Sequence, residues 1–256
     1  AARMAGLFDH LLTLLPFEPP FFEAEGLSST FVGHSVLDGG ADSGDGNAFR
    51  KRHGIDPKVK IIAVLPGSRK GEISHLGDTF EKTLDLLILK FPEIRIILPC
   101  VAALAGTIRT LIKNWKHPVI IVEGEKEKFD AFAAADVALA ASGTVALELA
   151  LARTPAIIAF KTNILTWILV RWLVKIRFAH LVNLLLDNEA IPEFIQGNCN
   201  ADLMALTIES LLYDKDLRNQ QIEAYDRALK QLNPVGGLPA ERAAEKILSL
   251  INIDRK

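Results

Sequence analysis

Val59-Lys60-Ile61-Ile62-Ala63-Val64-Leu65-Pro66-Gly67-Ser68-Arg69 runs from an apolar stretch straight into a Pro-Gly break. A buried strand that ends at Pro-Gly and reopens at Ser-Arg sets backbone N–H groups and a guanidinium at the strand's C-terminal edge. Open α/β sheets hold their ligands at that edge. Gly67 lets backbone come close to an anion, and Arg69 can grip a phosphate through two parallel hydrogen bonds. A second turn of the same kind, Ala141-Ser142-Gly143-Thr144, follows the small-residue run Val137 to Ala141 and precedes a helix containing Glu148. Two such turns point to a diphosphate clamp in a nucleotide-sugar site, although neither is a Walker or dinucleotide fingerprint.

Around these turns strands and helices alternate. Strands are expected at Val59 to Leu65, Ile94 to Pro99, Val119 to Val122, Val137 to Ala141 and Pro155 to Phe160. Helices are expected at Ala48 to His53, Glu72 to Lys90, Ala102 to Trp115, Lys126 to Ala135 and Val145 to Ala152. Such alternation means a Rossmann-like parallel sheet with helices on both faces. Upstream, His10 to Leu15 and Thr30 to Gly33 read as short strands, with one helical turn at Phe21 to Gly26. Downstream, Ala201 to Leu212, Asp216 to Gln231 and Ala240 to Leu250 read as helices. The acidic, Gly-rich stretch Asp38 to Asn47 reads as a flexible linker. It lacks the glutamate that an EF-hand needs at its twelfth position, so calcium is not expected there. The expected division is 1–36, 37–47, 48–233 and 234–256.

Each motif also has an ordinary reading. The Gly67 turn could be a plain strand-to-helix turn with a surface arginine, and Glu72 could simply match the charge of the helix start. Ser142 or Thr144 could cap the next helix, which does not exclude a phosphate seat. Glu148 could accept ribose hydroxyls or sit on a solvated face. The six histidines have no metal-ligand spacing, and no elbow serine accompanies them, so a hydrolase triad has little support. His34 reads as structural at a hinge.

Composition narrows the classes. Hydrophobic residues make up 50% of the 256, ample for a large core, and 29 basic against 31 acidic residues leave no electrostatic footprint for nucleic acid. Two cysteines, Cys100 and Cys199, suit a reducing compartment and form no zinc motif. No eighteen-residue apolar run free of charge exists. The start, Ala1-Ala2-Arg3-Met4, reads as the interior of a longer protein. Lys161 to Leu186 carries Trp167, Trp172 and Phe178 among aliphatics, with Arg171, Lys175 and Arg177 as cations. It reads either as a buried helix with snorkelling cations or as a lipid-facing helix. The run of uniformly positive charges favours the second, with Trp167 to Phe178 exposed.

In order along the chain, Leu14-Leu15-Pro16-Phe17-Glu18-Pro19, Phe31-Val32-Gly33-His34, Leu65-Pro66-Gly67-Ser68-Arg69 with Glu72-Ile73, Ala141-Ser142-Gly143-Thr144 with Leu147-Glu148, and Asn183-Leu184 with Pro192-Glu193-Phe194-Ile195-Gln196 resemble the lipid-A-disaccharide synthase family. That family is a group of inverting glycosyltransferases of the GT-B fold. The resemblance implies transfer of diacylglucosamine from UDP-2,3-diacylglucosamine to a diacylglucosamine 1-phosphate, without metal or cofactor. It also implies a peripheral position on the cytoplasmic face of a bacterial inner membrane. Arg69 would stabilise leaving-group charge. Gly67, Ser68, Glu72, Ser142, Gly143, Thr144, Glu148, Asn183 and Gln196 would contact substrate; Trp167, Arg171, Trp172, Lys175 and Arg177 would face lipid. The chain corresponds to the C-terminal, donor-binding half, so the catalytic base is expected outside it and the isolated chain is expected to be inactive. His34-Ser35 replaces the family's usual His-Pro. A UDP-N-acetylglucosamine epimerase or hexosaminyltransferase of the same fold, or a non-catalytic UDP-sugar or membrane-binding module, stays open on the residues alone.

Overall fold

A computed structural model describes residues 1–141, 143–163, 167, 177–233 and 235–253. The chain forms two compact units, one of residues 41–226 and one of 1–40 with 227–256. The C-terminal segment expected as a helix over 234–256 carries the helix Pro239–Ile253 and groups with the N-terminal residues.

The larger unit holds six parallel strands: β3 (Ile61–Leu65), β4 (Arg95–Cys100), β5 (Val119–Glu123), β6 (Val137–Ala141), β7 (Ala156–Phe160) and β8 (Glu193–Ile195). Their order across the sheet is β5-β4-β3-β6-β7-β8. Every residue of β3 and β6 is buried, as a parallel strand covered on both faces requires. The strand period of two then separates the side chains. Ile62, Val64, Ile96, Leu98, Val137 and Leu139 join one core cluster, and Ile61, Ala63 and Ile97 turn the other way.

Helix α4 (Lys70–Lys90) closes that cluster by burying Ile73, Leu76, Phe80, Leu84 and Leu87 at helical three- and four-residue steps. Leu86 and Leu89, off that stripe, point to solvent. With α4 pack α5 (Ala105–Leu111) and the helix Ala201–Tyr213. On the opposite face lie α3 (Gly46–Arg52), α6 (Glu125–Ala134) and α7 (Val145–Leu151). The expected helix over Ala102 to Trp115 is a short α-helix between two 3₁₀ turns.

The glycine-rich stretch Asp38 to Asn47 is not a loose linker. Ala41 is buried, a 3₁₀ turn spans Ala41–Ser43, and α3 begins at Gly46. A Cβ on Gly44 would collide with the Phe129 carbonyl, so this glycine serves close backbone packing against α6. Asp45 caps α3 through the Ala48 N–H and donates its own N–H to buried Asp130.

In the smaller unit β1 (Leu11–Thr13) pairs in parallel with β2 (Ser29–Phe31). Arg242 donates to the Val32 carbonyl and to Asn233 there, and His34 caps a 3₁₀ turn through the Val36 N–H. No helix of the described residues is long and apolar enough to cross a membrane.

Candidate functional site

Strand β3 leads through α4 towards β4 and β5, whereas β6 leads through α7 to β7 on the opposite side. The two strands are neighbours in register, with Leu65 opposite Ala140. Their loops leave in opposite directions and open a crevice, the usual ligand site of an open α/β sheet. A cavity of about 230 Å³ lies there. Leu65, Gly67, Ser68 and Glu72 line it from the first turn, and Ala141, Gly143, Thr144, Val145 and Glu148 from the second. Pro99, Cys100, Val101 and Leu104 come from the end of β4, and Lys128 from α6.

The first turn is held from within. Glu72, third residue of α4, reaches back so that Oε2 accepts the Ser68 N–H at 2.9 Å and Oε1 accepts from Arg69 at 3.0 Å. The contact resembles the glutamate half of a capping box but reaches one residue further back, to the N–H that precedes the Arg69 cap. Gly67 has φ of +129°, and a Cβ on it would stand 2.6 Å from Glu72. A side chain there would thus break the clasp and strain the backbone. Arg69 is 81% exposed and stands outside the cavity lining. Its guanidinium has five N–H donors, of which Glu72 takes one.

Across the cavity Glu148, in the first turn of α7, accepts a hydrogen bond from Lys128 Nζ at 2.9 Å. The lysine ammonium also lies 4.6 Å from the Phe129 ring centroid. Leu65, Pro99, Val101, Leu104 and Val145 supply apolar walls. Burial pushes the Cys100 thiol up from its ordinary value, with the Glu123 charge adding to this, so it stays a neutral thiol. The cavity thus offers two carboxylate acceptors, an ammonium, turn backbone and apolar surface. Among the described residues no group of three or more His, Cys, Asp or Glu is placed to hold a metal ion.

The structure brings Gly67, Ser68, Glu72, Gly143, Thr144 and Glu148 together. Asn183 and Gln196 do not join them. Asn183 is fully buried; its amide donates to Ile191 O and Glu193, and its carbonyl accepts from the Ala190 and Ile191 N–H groups. A side chain with its hydrogen bonds spent inside a loop has none left for a substrate. Gln196 exchanges hydrogen bonds with the backbone of Thr162. Phe178, expected to be exposed, is only 8% accessible. Arg177 is exposed and lies 3.8 Å from Asp187, and Trp167 is half-buried. Ser142, Arg171, Trp172 and Lys175 lie outside the described residues. Lys128, Cys100 and Val101 were not picked out from the sequence. Lys128 could have been, since it stands five residues after β5, in the first turn of a crossover helix, and such turns open on the ligand edge.

A family model described as lipid-A-disaccharide synthetase matches residues 1–247. The chain belongs to that family. It is 45% identical to the lipid-A-disaccharide synthase of Rhodospirillum centenum over 98% of this chain and 63% of that protein. It is likewise 45% identical to the one from Paramagnetospirillum magneticum over 97% of this chain and 64% of that protein. The chain therefore spans somewhat under two thirds of these family members. Among solved structures, the S. aureus MnaA–UDP co-structure aligns with a TM-score of 0.70 at 15% identity, covering 97% of this chain and 62% of that one. Anabaena HepE in complex with UDP-glucose aligns at 0.56 and 16%, covering 97% and 66%. These likenesses place the parallel sheet and its two helical layers in the GT-B glycosyltransferase fold.

Proposed function

We propose that this chain carries the donor site of a lipid-A-disaccharide synthase. The donor is UDP-2,3-diacylglucosamine, the acceptor a diacylglucosamine 1-phosphate, and the products are the lipid A disaccharide and UDP. The observation that carries the reading is the meeting of the Gly67 and Gly143 turns at one cavity, on the switch point of the sheet. The family's curated members bear the synthase name, and two proteins of the same fold hold UDP or UDP-glucose.

In this reading an acceptor hydroxyl attacks the anomeric carbon, the bond to the diphosphate oxygen breaks, and UDP leaves with negative charge developing on that oxygen. Arg69 and the backbone of the two turns stabilise the charge; loss of one such donor typically costs ~10²–10³ in rate. The Glu72 clasp holds Arg69 beside the cavity, and the remaining guanidinium donors reach for phosphate. Glu148 accepts from the ribose, and the apolar wall around Val101 takes the flat base. The reaction runs at the cytoplasmic face of a bacterial inner membrane, with the stretch from Trp167 to Arg177 touching lipid.

Calorimetric titration with UDP tests the site. The chain binds UDP, and a diacylated UDP-glucosamine binds more tightly than UDP-N-acetylglucosamine. Equal affinity for the two donors would favour an epimerase-like site, and absence of UDP binding would overturn the reading.

A further inference from the structure

We propose that Lys128 is a positioning residue that fixes Glu148 for the ribose hydroxyls, and so makes this cavity select a ribonucleotide over its deoxy analogue. The inference rests on the cavity being the UDP-sugar site. Lys128 and Glu148 come from the first turns of two different helices, and their side chains meet at 2.9 Å with only 23% and 21% of their surfaces exposed. Lys128 is held from a second direction by the face of the Phe129 ring, 4.6 Å from the ammonium. A lysine pinned by both a carboxylate and a ring has given up much of its rotamer freedom before any ligand arrives.

The charges around the cavity give this arrangement its use. Among the described lining residues the acids are Glu72 and Glu148, and Lys128 is the one cation. Glu72 is engaged with the Ser68 N–H and Arg69. Among the described residues the Glu148 carboxylate bonds to Lys128 alone. An ionised carboxylate offers about four lone-pair sites, and the ammonium uses one on Oε1. The remaining sites suit two adjacent hydroxyl donors, the pattern of a ribose 2′,3′-diol. Without the ammonium, Glu148 would share a lining with a second carboxylate and would turn towards water. Its hydrogen bonds to a diol would then cost an ordering step that the ion pair has already covered.

A purely structural tie between α6 and α7 would affect stability and leave ligand discrimination alone. The deciding quantity is therefore a ratio, the affinity for UDP over that for 2′,3′-dideoxy-UDP, measured by calorimetry on the 256-residue chain. The unsubstituted chain should prefer UDP by about tenfold or more, as expected for hydrogen bonds to a charged group. Lys128→Met keeps the stem over Phe129 and removes the charge; its preference should fall to about threefold or less, with dideoxy-UDP binding nearly unchanged. Lys128→Arg should retain most of the preference. Should Lys128→Met melt below the assay temperature, Lys128→Gln is judged by the same ratio. A folded variant that keeps the tenfold preference overturns the inference. So does an equal loss for both ligands, which would mean that Lys128 meets the diphosphate. If the unsubstituted chain binds UDP without preferring ribose, this inference alone falls. If it does not bind UDP, the donor-site reading falls with it.

Discussion

Arg69 and His180 illustrate two ways in which a side chain's surroundings set its role. Arg69 is exposed and, among the described residues, its side chain is linked to Glu72 alone, a pair that contributes little to folding at such exposure. Arg69→Ala should therefore melt like the parent while its affinity for UDP drops about tenfold or more, a charged hydrogen bond being worth ~1.5–3 kcal/mol. Unchanged affinity in calorimetry would remove Arg69 from the site. His180 is 2% accessible, and its Nδ1 accepts the Val182 N–H at the start of the helix Leu181–Leu186. Burial lowers its pKa from 6.5 to about 4. Below pH 6.5 the unfolded chain takes up a proton that the folded chain refuses until about pH 4. Stability should thus fall through that window and level off beneath it. At 1.36 kcal/mol per unit this amounts to about 3 kcal/mol. Urea melts of His180→Asn, which keeps a capping oxygen, should show a shallower decline than the parent; parallel declines would reject the assignment. That the Gly67 and Gly143 turns would meet at one sheet edge was legible in the sequence because turn chemistry is local. Lys128 was not, since its meaning depends on a partner twenty residues away. Asn183 was misread because a polar residue among leucines looks the same whether it serves a ligand or a buried loop.

At the scale of elements, apolar runs bounded by Gly and Pro marked β3 to β7 to within about two residues, because a parallel strand buried on both faces leaves a continuous signal. β8 left none: it is three residues long, starts after Pro192 and takes its place only by pairing with β7. The 181–186 helix was hidden in a longer apolar stretch for a related reason, since its boundary is the His180 cap and not a change of hydropathy. The helix Lys215–Leu232 looks like a surface helix in sequence, yet it contributes buried Gln221 to the sheet. The Gln221 amide accepts the Ala156 N–H at 2.7 Å and donates to the Ala156 carbonyl at 2.9 Å, closing the start of β7 as a neighbouring strand would. Gln221→Leu should orphan both backbone groups at a cost of about 1–3 kcal/mol each. Denaturant melts should show the loss as a lowered midpoint with an unchanged slope. A loss below about 1 kcal/mol would mean that water or a shift of the helix satisfies Ala156 instead.

For the whole molecule, the α/β class and the sheet edge that carries the candidate cavity were readable, because strand–helix alternation fixes a parallel sheet and such a sheet opens its crevices at that edge. The division into units was not, since the grouping of residues 227–256 with 1–40 rests on contacts across nearly the entire sequence. Membrane association is likewise a property of the molecule as a whole. A formal net charge of −2 gives no long-range pull towards an anionic surface. The membrane contact proposed above would then need a local patch acting within a Debye length of about 8–10 Å. The stretch containing Trp167, Arg171, Trp172, Lys175 and Arg177 is the proposed patch, with each cation near anionic lipid contributing about 1 kcal/mol. Arg177 is already exposed, and its contact with Asp187 is long and solvated, so lipid phosphate competes for it at little cost. Phe178 is buried and contributes nothing to this patch. The double change Trp167→Ser and Trp172→Ser should release the chain from anionic vesicles in a flotation assay while shifting its thermal midpoint by no more than a few degrees. Raising the salt should release the parent chain in the same way, because screening acts on the exposed cations. If the two tryptophans are core instead, each replacement should cost about 3–5 kcal/mol, and the protein should unfold before any vesicle is added. Vesicle binding that survives both the double change and high salt would place the lipid contact elsewhere on the molecule.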